Sequence, residues 1–143
     1  TADANSITGG LGVDAMTGAA GVDTFNFADA DSGITVATAD TITTFTSTAD
    51  KIDFTSANGV AGADANYTEA DGSGLANLAA VVSAADAVFD GTKVYYLSGD
   101  VNGDGNSYLL FDADKSGSFD STDVLVVLVG ITEAGLEFGD IIA

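Results

Sequence analysis

The chain is 143 residues long, enough for one compact domain or two small modules that share a core. It has no Cys and no His, which excludes a disulfide framework, thiolate metal sites, and the commonest zinc ligand and general base. Acidic residues number 22 against three lysines (Lys51, Lys93, Lys115), and the resulting net charge of −19 repels nucleic acid and anionic membranes.

Such acidity often marks a solvated, disordered tail, but 46% of the residues are hydrophobic and several strongly apolar runs occur. A chain that buries a core while keeping its carboxylates ionised needs counter-charge beyond three lysines. A divalent cation supplies it, and Asp-rich oxygen donors favour Ca²⁺ over softer metals. No run approaches the ~18 apolar residues of a membrane helix, so direct membrane insertion is not expected. No signal peptide is visible, and a chain opening on Thr1 reads as a processed or excised piece of something longer.

The first thirty residues repeat every nine. Asn5, Asp14 and Asp23 fall in register, as do Ile7, Met16 and Phe25, and the glycine pairs Gly9/Gly18 and Gly12/Gly21. Each unit offers a tight glycine turn followed by a short strand with one inward apolar residue, the pattern of calcium-binding parallel β-helices. Two units make one coil, so turns 18 residues apart should stack around an ion. The turn of Asp23 and Gly21 then faces Asp3 and Asn5. The turn of Gly10, Gly12 and Asp14 faces Asp29 and Asp31. Residues 40–45, opened by Asp40, and 50–54 alternate as half-buried strands do.

Residues 56–74 are rich in Ala, Asn, Asp and Gly and read as a loop. Leu75, Leu78, Ala79, Val82 and Ala85 recur at helical spacing, with Ser73 near the N-cap. Beyond Gly91, residues 93–97, 107–111 and 124–129 are strand-like and predict a β-meander.

The sharpest motif joins the last two of these strands. Asp112, Asp114, Ser116, Asp120 and Asp123 place oxygen side chains at positions 1, 3, 5, 9 and 12 of a twelve-residue loop. Gly117 stands at position 6, Ser118 at 7 and apolar Phe119 at 8. That is the EF-hand calcium pattern with Asp for Glu at position 12, and strand-like flanks predict that it closes a hairpin. The alternative is a turn that holds no ion. A half-loop precedes it, with Asp100, Asn102 and Asp104 at positions 1, 3 and 5. Phe111 at its position 12 cannot ligate, so a metal half-site and a plain Asn-Gly/Asp-Gly turn both remain open.

Catalysis is not expected. No His is present to activate the many Ser and Thr residues, Lys bases are nearly absent, and Ser98 near Lys93 is the sole pairing that invites the idea.

The units Gly9–Asp14 and Gly18–Phe25 resemble the nonapeptides of repeats-in-toxin (RTX) proteins. Residues 23–54 are similar to the β-roll exit of type I secretion substrates, and residues 108–142 resemble the C-terminal end of such proteins. The resemblance implies several bound Ca²⁺ ions, export through an ABC-transporter channel on an uncleaved C-terminal signal, and folding outside the cell. Hosts include surface-layer proteins, adhesins and secreted hydrolases, with self-assembly through Ca²⁺ as a further option. A dockerin-like module is the third alternative, disfavoured because strands rather than helices follow the loops. Ala19, Asn5 and Thr44 depart from the family pattern. The expected architecture is mainly β: a short parallel β-roll leading into a β-sandwich or meander with one or two short helices. Its segments are 1–55, 56–90 and 91–143.

Overall fold

Short strands separated by glycine turns wind the first fifty residues into a parallel roll. In the computed structural model, which describes residues 3–55 and 58–143, strands β1 (Ser6–Thr8), β3 (Thr24–Phe27) and β5 (Lys51–Phe54) lie in one sheet. Strands β2 (Ala15–Thr17) and β4 (Asp40–Thr43) lie in the other. Thr1 and Ala2 of the expected roll, and Ser56 and Ala57 at the start of the expected loop, lie outside the described residues.

The first coil has the period read from sequence: Ser6 pairs with Thr24 and Ile7 with Phe25, in parallel. The next coils are longer. β2 pairs with β4 through Met16 and Ile42, and β3 with β5 through Phe25 and Ile52. One expectation is therefore corrected. The Asp14 amide bonds Asp40, 26 residues away, rather than Asp29 or Asp31, because residues 28–39 form a loop that lengthens the coil, while the charge of Asp31 still reaches Asp40.

The rest of the chain completes the same two sheets. β6 (Tyr67–Asp71), helix α1 (Leu78–Asp86), β7 (Tyr95–Gly99), β8 (Ser107–Phe111) and β9 (Val124–Val129) follow β5, and β10 (Ile141–Ile142) closes the chain. The six-stranded sheet runs β2-β4-β9-β8-β7-β6, and the four-stranded sheet β1-β3-β5-β10 is parallel throughout. β7, β8 and β9 form the expected antiparallel meander, and β9 then docks parallel to β4. Segments 1–55 and 91–143 thus share both sheets and one core.

Three layers result. Between the sheets, Phe25, Phe27, Ile42, Ile52, Leu97, Leu109 and Leu128 are fully buried. Phe54 is central there, its ring 4.7 Å from Phe111 and 5.7 Å from Tyr95. On the far face of the six-stranded sheet, Tyr96, Tyr108, Leu110, Leu125 and Val127 pack under α1 through Val81 and Ala85. This sheet is covered on both sides, which is why Val124–Val129 is a continuous apolar run rather than an alternating one.

Two local expectations are corrected. The helix is capped by Asn77, whose Oδ1 accepts from Ala80 N at 3.2 Å, whereas Ser73 sits in a turn tied to Asp71. The expected loop also contains β6, which pairs in parallel with β7; its Glu69 and Asp71 are exposed, so polar side chains masked the strand.

The C-terminus is held by a buried carboxylate. Asp140 accepts from Ser47 Oγ at 2.6 Å, from Lys51 Nζ at 2.8 Å and from the backbone of Thr48 and Glu137. Burial opposes its charge, but Lys51, Ser47 and these amides together hold its pKa below the ordinary value. A carboxyl with a lowered folded pKa stabilises above its unfolded pKa near 4 and loses that contribution as pH falls. Asp140→Asn should therefore cost about 1–3 kcal/mol at pH 7 in urea unfolding, with the gap to wild type closing towards pH 3. Backbone strain gives a second expectation. Ala19 adopts φ 67, the left-handed region that Gly10 occupies at φ 80 one turn earlier. Ala19→Gly should raise stability by about 0.5–1 kcal/mol, measured as a shift in urea midpoint at constant slope.

Candidate metal centre

Aspartates occur at the start of strand after strand because the roll has a use for an acceptor there. Asp23 Oδ1 accepts from Asn5 N at 2.9 Å, Asp50 Oδ1 from Asp23 N at 2.9 Å, and Asp40 Oδ1 from Asp14 N at 2.8 Å. Each carboxylate thus caps the backbone of the preceding coil. Charge-assisted bonds of this kind are stronger than neutral ones, so the ladder fixes register as well as turn shape.

The ladder leaves unmet demand. Asp23 and Asp40 are fully buried, and the Oδ2 of each finds no hydrogen-bond partner among the described residues. Burial raises the Asp40 pKa, opposed by the Asp14 N–H and reinforced by the charges of Asp14 and Asp31. Gly18 is required beside Asp23, since a Cβ there would lie 2.6 Å from Asp23 Oδ2. Gly9 holds the same relation to Asp14, at 2.9 Å.

The other expected roll residues divide by environment. Asp3 is exposed and contributes its carbonyl to Asn5 Nδ2. Asp31 is buried and folds back on its own loop, accepting from Ala28 N. Asp29 is exposed and lines an open cleft of about 370 Å³ with Asn58, Asp114 and Thr122. Gly10, Gly12 and Gly21 hold φ of 80°, 138° and 145°, where a side chain would be strained. Asp50 and Asp140 join the ladder without belonging to a recognisable motif. Both directly precede strands, as Asp23 does, and that positional signal would have found them.

The twelve-residue loop closes the β8–β9 hairpin, as expected. It gathers Asp112, Asp114 and Asp123 so that one oxygen from each lies within 4.8 Å of the others. Asp112 and Asp123 are buried and Asp114 is exposed. Backbone donors shape the cradle: Ser116 N and Gly117 N bond Asp112, while Ala113 N and Asp120 N bond the two oxygens of Asp123. Asp120 accepts from Thr122 N and Oγ1, and the hydroxyls of Ser116 and Ser118 lie 3.3 Å apart.

Electrostatics there is uncompensated. Burial pushes Asp123 up to about 6, against the amides of Asp120 and Ala113, and the charges of Asp112 and Asp114 add to the rise. Burial also raises Asp112. A carboxylate oxygen has two lone-pair sites, so those already accepting one N–H keep capacity for a cation. The donor set is hard oxygen throughout, which fits Ca²⁺ better than a soft metal. Such an ion would be held by Asp112, Asp114 and Asp123 and would offset their mutual repulsion.

The half-loop makes turn bonds of its own. Asp100 Oδ1 accepts from Gly105 N, and Asp104 accepts from Asn106 N and from the Tyr108 hydroxyl. Asn102 is exposed with φ 54, and Asn106 Oδ1 takes Gly130 N. These bonds build a tight β7–β8 turn.

No model of a known protein family and no curated protein matches this chain.

A raised acid pKa implies that protonation favours the metal-free fold, so stability from Asp123 is present at low pH and lost as pH rises through 4 to 6. In EDTA, wild type should therefore lose stability relative to Asp123→Asn across that window. Parallel urea titrations of the two proteins from pH 4 to 7 measure the difference. A flat difference would contradict the burial assigned to Asp123.

Proposed function

We propose that this chain is a calcium-dependent structural module of a secreted protein, and not an enzyme. The observation that carries the reading is the convergence of Asp112, Asp114 and Asp123 within 4.8 Å, two of them buried. Support comes from the roll, where Asp23 and Asp40 bury a carboxylate oxygen without a partner. Lysine does not meet this demand: Lys51 pairs with Asp140, and Lys93 donates to the carbonyls of Asp64 and Tyr67.

Calcium then acts by coupled folding and binding. In low calcium the carboxylates repel and the chain stays loosely folded, a state suited to passage through an ABC-transporter channel. At the millimolar calcium outside a cell, ion binding supplies folding free energy. The RTX-like glycine turns and the C-terminal tail support this export route, on a signal within the last residues. The host is a surface-layer protein or adhesin on this reading, with self-assembly through Ca²⁺ open to it. An export and folding part of a secreted hydrolase fits the same module, with catalysis elsewhere in a longer chain. A dockerin-like module is disfavoured, because β8 and β9, not helices, follow residues 100–106 and 112–123.

The test is circular dichroism and calorimetry in EDTA and in 2 mM CaCl₂. β-Sheet signal and a cooperative unfolding transition should strengthen with calcium, and magnesium at equal concentration should do much less. A chain equally folded and equally stable in EDTA would sink the reading.

A further inference from the structure

We infer that helix α1 and the loop 112–123 form one cation-controlled unit, in which a filled loop clamps α1 onto the six-stranded sheet. This rests on the calcium reading above and adds a response that the ligand set does not contain. The joint is made of backbone and packing. Phe119 N, at loop position 8, donates to Asp86 Oδ1 at the end of α1 at 2.7 Å. The Phe119 ring is partly buried against the cluster that holds Val81, Ala85 and Phe89. Gly117 turns its backbone to the helix exit, where an added Cβ would sit 3.5 Å from the Phe89 carbonyl. An added Cβ on Gly91 would likewise meet the Lys115 carbonyl at 3.3 Å.

Each half needs the other. With nine residues, α1 is shorter than the ~12–15 that an isolated helix needs for even marginal stability. It has no acidic residue in its first turn and no basic residue in its last, and it ends on Asp86, whose charge opposes the helix dipole. The Phe119 N–H answers that charge. The loop in turn holds its shape against the repulsion of Asp112, Asp114 and Asp123. Without a cation that repulsion opens the loop and withdraws Phe119 from α1. The cover then loosens over Tyr96, Tyr108, Leu110, Leu125 and Val127.

Linkage makes the coupling reciprocal, so weakening α1 must weaken calcium binding. Ser83 is exposed in α1, and its hydroxyl bonds back to Ala79 O. Ser83→Pro breaks the helix without changing the charge or touching a carboxylate of the loop. CaCl₂ titration by calorimetry should give a Kd raised about fivefold or more over wild type. Hydrogen exchange at saturating calcium should quicken across residues 78–89, with β8 amides unchanged. Ser83→Gly, a milder change, should weaken binding about twofold and covers the case in which the proline variant does not fold.

A wild-type Kd in a variant whose α1 amides exchange fast would overturn the inference while leaving the calcium reading intact. Absence of calcium binding by wild type would remove both.

Discussion

The fold is governed by the need to bury carboxylates without enough positive charge to meet them. Asp23, Asp40, Asp50, Asp112, Asp123 and Asp140 are all buried, and a single ion pair, between Lys51 and Asp140, occurs among the described residues. Desolvating an isolated carboxylate is far more costly than any one hydrogen bond can offset. The chain answers by aiming backbone N–H groups at these oxygens, from the preceding coil at Asp23, Asp40 and Asp50 and from within the loop at Asp112 and Asp123. Strand order, glycine turns and coil register follow from that geometry, since each amide must arrive within about 3 Å of the next aspartate.

Seen along the roll, the ladder is not uniform. Asn5, Asp23, Asp50 and Asp140 each directly precede a strand of the four-stranded sheet. At the first rungs the acceptor faces a backbone amide, and Asp23 Oδ2 is left without a partner. At the last rung the ammonium of Lys51 takes the place of an amide, with Ser47 and Thr48 around it. The C-terminal end is therefore neutralised from within. The early coils have no lysine of their own.

How much of this was legible in the sequence varies with the range of the interaction responsible. The nine-residue period gave the first coil, because glycine turns and single inward residues at Ile7, Met16 and Phe25 are local features. The meander and the hairpin around residues 112–123 were legible for the same reason: apolar runs flank Asp- and Gly-rich turns. The second coil was not, since residues 28–39 break the period and Asp14 finds Asp40 through β2–β4 pairing alone. β6 was hidden because its edge position tolerates Glu69 and Asp71, which read as loop. The helix starts at Asn77 because Gly72, bonded to Gly99 O, opens a turn closed by Leu75 N on Gly72 O, which keeps residues 72–75 out of the helix. At the candidate site the loop ligands were visible as a motif, whereas Asp50 and Asp140 matter through rungs supplied from 27 and 89 residues away.

These distances also order the assembly. Pairing β1 with β3 closes a loop of 18 residues, whereas docking β10 on β5 must close one of nearly ninety. Loop-closure entropy grows only logarithmically with length, so the larger closure is slow more than it is prohibitive. It also brings the Asp140–Lys51 pair, which the short closure lacks. The short coil is thus quick to form but poorly neutralised, and the long closure is slow but self-neutralised. On the calcium reading proposed above, a chain with this asymmetry stays open while its carboxylates repel and settles once an ion fixes the ladder.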